Sequence, residues 1–224
     1  MDISPDIAAR RTHLLAQLGA AAQQAGRNPS EISLVAVSKR QNDEAIAAAL
    51  EAGQRVFGEN RVQEAFEHWS GRRTRLADLE LRLIGPLQSN KAQDAVELFD
   101  VIETLDRDKL AIALRKAMTV TGRTPRLLVQ VNTGEEAQKA GIAPTELPGF
   151  LARMRGEHGL RVEGLMCIPP TAEPAGLHFA LLAKLARENG LKELSMGMSA
   201  DFETAIALGA SSVRIGTAFF GARD

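Results

Sequence analysis

Ile32-Ser33-Leu34-Val35-Ala36-Val37-Ser38-Lys39 is a β-branched, alternating run that ends in an amine, and Arg40-Gln41-Asn42 leads from it into a helical pattern. A strand passing at once into a helix is the first half of a parallel βα unit. A doubly wound sheet opening on such a unit usually carries a glycine-rich turn after the first strand, and this turn has none; neither a dinucleotide fingerprint nor a phosphate-loop signature is present. The alternation continues to the end of the chain. Strands read at Ile32–Ser38, Val56–Gly58, Leu81–Ile84, Val101–Thr104, Leu127–Asn132, Val162–Ile168, Glu193–Met196 and Val213–Gly216. Helical patterns lie between them at Asp43–Ala52, Val62–His68, Ala92–Leu98, Lys109–Met118, Leu147–Arg155, Leu177–Glu188 and Asp201–Leu208. Eight such strands favour a closed α/β barrel over the open sheet. One more helix precedes the barrel: Ser4-Pro5-Asp6 reads as an N-cap, a first-turn proline and a favourable acid, with Ile7, Leu14, Leu15 and Leu18 as its stripe and Gly26 as its stop.

The 224 residues, 45% hydrophobic and 25% charged, supply material for a large core, and without a low-complexity linker they are expected to form one domain over 1–224. A net charge of −1 with scattered lysines and arginines argues against nucleic acid or anionic lipid as partner. Cys167 is the only cysteine, so no internal disulfide is available, and it reads as a small core residue. No apolar run approaches the ~20 residues of a membrane span and no signal-type segment opens the chain, so a cytoplasmic location is expected. The four histidines lack ligand spacing, which argues against a metal site.

In a barrel, function gathers at the C-terminal ends of the strands, and phosphate commonly sits near strands seven and eight. Lys39, Glu59-Asn60, Gly85, Asn132, Ser199 and Arg214-Ile215-Gly216-Thr217 fall at or just after strand ends and are expected on one rim. A lysine after an apolar strand ordinarily marks the return to solvent. Beside other cations in a sheltered pocket its pKa falls, and the neutral amine can attack a carbonyl to form an imine. Ser199 precedes a helical pattern and reads as an N-cap that can also serve an anion. Gly216 and Thr217 add donors on a chain that can approach a phosphate closely. Arg214 shares a strand face with Gly216; it can pair with a carboxylate such as Glu59, or it can face a pyridine nitrogen and disfavour its protonation. Asn60 is suited to a ring oxygen, whereas Gln88, Asn90 and Lys91 are suited to organising the rim. An amine at one end of the chain and an anion cradle at the other imply an aldehyde-bearing phosphate, best matched by pyridoxal 5′-phosphate (PLP).

These residues lie in blocks that resemble a known family. Ala36-Val37-Ser38-Lys39, Phe57-Gly58-Glu59-Asn60 with Val62-Gln63-Glu64, and Ile84-Gly85-Pro86-Leu87-Gln88-Ser89-Asn90-Lys91 are similar to the PLP homeostasis proteins, single-domain relatives of the alanine racemase N-terminal barrel. The likeness continues through Gln130-Val131-Asn132, Gln138-Lys139-Ala140-Gly141, Gly164-Leu165-Met166, Gly197-Met198-Ser199 and Val213-Arg214-Ile215-Gly216-Thr217-Ala218-Phe219-Phe220-Gly221, in order along nearly the whole chain. The resemblance implies a (β/α)8 TIM barrel with Lys39 as the Schiff-base lysine, Ser199, Gly216 and Thr217 around the phosphate, and Arg214 near the pyridine nitrogen. It further implies a regulator of PLP supply and amino-acid balance. One departure is visible: Leu81-Arg82-Leu83 stands where the family often has a tryptophan-histidine pair, which bears on the rim.

Racemisation needs acid/base groups on both faces of the substrate carbon, and two-domain racemases are understood to recruit a tyrosine from a second domain. This chain has no tyrosine and ends at Asp224, so no such domain is expected. The favoured reading is a non-catalytic PLP carrier, a monomer in the absence of an apolar interaction stripe, with PLP-dependent apo-enzymes as recipients. The alternatives are a PLP-dependent amino-acid racemase of low activity and a phosphosugar-binding barrel aldolase using Lys39.

Overall fold

The computed structural model describes residues 3–221; Met1, Asp2 and residues 222–224, with Asp224 among them, lie outside the described residues. Eight parallel strands, β1 (Ser33–Val37), β2 (Val56–Glu59), β3 (Glu80–Leu83), β4 (Val101–Leu105), β5 (Arg126–Gln130), β6 (Val162–Met166), β7 (Glu193–Ser195) and β8 (Ser212–Ile215), pair in chain order as a closed barrel. The ring closes where β1 meets β8, in register from Ser33 opposite Ser212 to Ala36 opposite Ile215. The expected barrel is therefore the observed one, and closure leaves no open sheet edge.

The helices outside it are α1 (Ser4–Gln24), α2 (Asp43–Glu51), α3 (Val62–Arg73), α4 (Ala92–Leu98), α5 (Asp108–Thr121), α6 (Leu147–Gly156), α7 (Ala175–Glu188), α8 (Phe202–Ala207) and α9 (Thr217–Phe220). The longer helices that follow strands present apolar residues inward, and Trp69, Phe57, Phe99, Phe150, Phe179 and Phe219 are fully enclosed. The extra helix α1 begins at Ser4, one residue ahead of the position that reading Ser4 as N-cap assigns, and packs on α2, α8 and α9. Its stripe is Ile7, Leu14, Leu18, Ala21 and Ala22. Leu15, expected on that stripe, is 41% exposed, because it lies about 100° round the helix from Leu14. The single turn α9 has no counterpart in the sequence reading, being too short to show a period; Arg10 Nη1 donates to Phe220 O at 3.0 Å and ties it to α1. No helix among the described residues is long and apolar enough to cross a membrane.

The barrel interior is strongly polar at its base. Arg126 donates to Glu80 Oε2 at 2.7 Å and to Glu193 Oε1 at 2.6 Å, and these three are the first residues of the alternate strands β3, β5 and β7. They form an ionic floor, as expected for one layer of side chains contributed by alternate strands.

Candidate functional site

The residues that the sequence singles out come together at the opposite, C-terminal mouth. Lys39, Asn60, Ser199, Arg214, Gly216 and Thr217 all line one cavity of about 340 Å³, completed by Val37, Ile84, Ile168, Met198 and Ala200. Three directions of approach explain the convergence: β1 delivers Lys39, β2 delivers Asn60, and β8 with the loop after β7 delivers the rest.

Lys39 is half-buried immediately beyond β1, and the chain turns there, with Gln41 N donating to Ser38 O at 3.1 Å and Arg40 at φ 58°. A left-handed conformation disfavours a residue with a Cβ, and Glu64 offsets it by accepting the Arg40 N–H. Just behind Lys39, the buried Ser38 hydroxyl donates to Glu59 Oε1 at 2.7 Å. The same oxygen receives Trp69 Nε1 at 3.0 Å and sits 2.9 Å from His68 Nδ1. Glu59 is 0% exposed, and its Oε2 has no hydrogen-bond partner among the described residues. This carboxylate therefore binds the ends of β1 and β2 to α3 and holds Lys39 and Asn60 in a fixed relation. The hydrogen bond to Glu59 raises the His68 pKa; burial works the other way and the charges of Glu59, Glu64 and Asp43 add to the rise.

Asn60 owes its place to Gly85. A Cβ on Gly85 would lie 2.2 Å from Asn60 O, so only glycine lets the chain leaving β3 pass the end of β2. Gly197 does the same service after β7, with φ +93° and a hypothetical Cβ 2.6 Å from that of Ala205. The loop it starts is stapled by Met198 N donating to Asp201 Oδ1 at 2.6 Å. Asp201, not Ser199, precedes α8, and the exposed Ser199 lies clear of the helix on the cavity wall.

Arg214 is buried in β8 and does not pair with Glu59. Its Nη1 donates to Ser195 Oγ at 2.6 Å and its Nη2 to Cys167 O at 2.7 Å. Burial raises the Cys167 thiol pKa to about 12, against the opposing charge of Arg214, which leaves a core thiol. The structure also corrects the expected rim. Asn132 turns to its own loop, donating to Glu136 O at 2.9 Å, and Glu59 lies beneath the mouth. Gln88 and Asn90 line a separate hollow with Ser89, Arg107 and Lys109, while Lys91 pairs with Asp94 at 3.2 Å. Arg82, within the departing Leu81-Arg82-Leu83 segment, is in the barrel interior and not on the rim. Sequence reasoning missed the Glu59 hub and the apolar walls Ile168 and Met198; the readable signal was a carboxylate inside an apolar strand.

The family profile described as alanine racemase, N-terminal domain, matches residues 13–224. The pyridoxal phosphate homeostasis protein of Pseudomonas aeruginosa is 44% identical over 97% of this chain and 96% of its own length. PipY of Synechococcus elongatus, solved without PLP, aligns at a TM-score of 0.84 and 40% identity over 96% of this chain and 100% of PipY. Its structure with PLP bound aligns at 0.81 and 39% over the same shares. The alanine racemase of Streptomyces coelicolor is alike in fold alone, at a TM-score of 0.70 and 22% identity over 97% of this chain and 59% of the racemase. The chain belongs to the alanine racemase N-terminal-domain family, in the group whose members carry the name pyridoxal phosphate homeostasis protein.

Proposed function

We propose that this chain binds PLP at the barrel mouth and holds it on Lys39 as a carrier serving PLP homeostasis. The observation that carries the reading is the single cavity shared by one lysine amine, one arginine and the Ser199, Gly216 and Thr217 donors. That donor set suits the group: an amine for an aldehyde, hydroxyl and backbone N–H groups for a phosphate, and a fixed cation for a ring nitrogen. When bound, PLP would supply an aldehyde able to condense with an amine with loss of one water, and Lys39 would be the residue that holds it. Ser199, Gly216 and Thr217 would hold the phosphate, Asn60 would serve the ring oxygen, and Arg214 would lie on the side of the ring nitrogen, where its fixed charge would disfavour protonation. Kinship with PipY, which was solved with PLP, supports the assignment.

A carrier role is favoured over racemase turnover by the cavity wall. Among the described residues that line it, Lys39 is the one amine, and none is a carboxylate, histidine, cysteine or tyrosine, whereas inversion requires an acid/base partner on the opposite face. The carrier acts as a monomer within the cytoplasm and passes PLP to apo-enzymes. Purified protein mixed with PLP is expected to develop a visible band that borohydride traps as a mass addition at Lys39, and Lys39→Ala to lose the trapped adduct. A protein left colourless once unbound PLP is removed, with no trapped adduct, sinks the reading. Inversion of a single amino-acid enantiomer that disappears in Lys39→Ala would favour the racemase.

A further inference from the structure

A buried polar chain runs from the mouth into the barrel. Arg214 Nη1 donates to Ser195 Oγ at 2.6 Å, Ser195 donates to Glu103 Oε2 at 2.5 Å, and Arg82 Nη1 donates to Glu103 Oε1 at 3.2 Å. β4, which carries Glu103, and β7, which carries Ser195, are not neighbours in the ring, so the contact crosses the interior. Its polarity is fixed by chemistry. A guanidinium only donates and a carboxylate only accepts, so the Ser195 hydroxyl must offer its lone pair to Arg214 and its proton to Glu103. The two bonds of the Ser195 hydroxyl are short, as charge-assisted bonds are. All four side chains are buried, with Ser195 and Glu103 at 0% exposure.

We propose that Ser195 and Glu103 are positioning residues that orient the Arg214 guanidinium and temper its positive field at the PLP ring. The inference rests on the proposed PLP site. Two acceptors on separate strands clamp the two Nη atoms of Arg214, Ser195 at the end of β7 and Cys167 O just past β6, which leaves the guanidinium no freedom to swing. The Glu103 carboxylate is the nearest link in the chain with a negative charge, shared between Arg214 through the hydroxyl and Arg82 directly. The other interior charges belong to the floor: Glu80 pairs with Arg82 at 2.6 Å and with Arg126, which also holds Glu193.

The test is a pH titration of the visible band of the PLP-loaded protein. Glu103→Gln removes a negative charge behind Arg214 and makes the site more positive. A protonated link to Lys39 is then disfavoured, and the midpoint should fall by about half a pH unit to one unit. Ser195→Ala, which deletes one hydroxyl and guards against a folding failure of Glu103→Gln, should also move the midpoint. In an Arg214→Gln background both shifts should shrink, because the part carried by the guanidinium is gone and only the direct field of Glu103 is left. A wild-type band with unmoved Ser195→Ala and Glu103→Gln midpoints, or shifts that persist undiminished without Arg214, overturns this inference alone. A wild-type protein with no band at all overturns the PLP reading and the inference with it.

Discussion

At the scale of single residues, Glu59 best shows how much depends on one buried group. It collects Ser38, His68 and Trp69 on one oxygen, and its neighbours in the chain and through Ser38 are the cavity residues Asn60 and Lys39. His68 is the titratable member. Because its pKa is raised in the folded state, its contribution is complete below the unfolded value of ~6.5 and fades as pH rises through the folded value. The urea midpoint of the wild type should therefore decline relative to that of His68→Gln as pH climbs from about 6 towards 8, and parallel curves for the two would refute the assignment. Lys39, Asn60, Ser199, Arg214, Gly216 and Thr217 were legible from the sequence because each sits at or just beyond a strand end. Their partners were not: nothing in the order of residues says that a serine in the seventh strand meets a glutamate in the fourth.

At the scale of elements, α1 separates periodicity from burial. The apolar pattern of this helix is right, yet Leu15 falls at the margin of the stripe, and the sequence does not say whether a marginal position turns inward. Leu18 is 4% exposed and Leu15 41% exposed. Leu18→Ala should cost about 2–5 kcal/mol, through lost burial and the void it leaves, while Leu15→Ala should stay within about 0.5 kcal/mol. Chemical denaturation of the two variants checks this, and equal losses would place both on the stripe. The strands were legible to within a few residues because apolar runs between turn signals survive any packing. The start of α8 was legible to one residue but its cap was not, because Ser199 and Asp201 are both plausible caps by residue type, and only the Gly197 turn and the Met198–Asp201 bond decide between them.

At the scale of the whole molecule, the barrel closes around charges as well as hydrocarbon. Burial opposes the charge on Arg82, but Glu103 and Glu80 more than offset it and hold the guanidinium above its ordinary pKa. Removing Glu103 alone, as Glu103→Leu, should destabilise the fold by about 1.5–3 kcal/mol, because it deletes one of the two carboxylates that hold the buried Arg82 and leaves Glu80 as the other. The double change Arg82→Met with Glu103→Leu should cost clearly less than the sum of the two single changes. Urea titration of the three variants decides, and simple additivity would mean that the two charges do not depend on each other. Arg82, Glu103 and Arg214 all stand inside apolar strands, yet the sequence singled out only Arg214 for pairing, and with Glu59. Their partners depended on which side chains point inward and at what height, a property of strand tilt and shear. By itself, then, the sequence determined the βα alternation, the number of strands and the residue types at the mouth, since these follow from local periodicity and from chemistry carried at strand ends. Only the tertiary structure decided that the first and eighth strands meet, that Lys39 and Thr217 share one cavity, and that Glu103 stands behind Arg214. Those relations join residues far apart in the chain, and it is closure of the ring that brings them together.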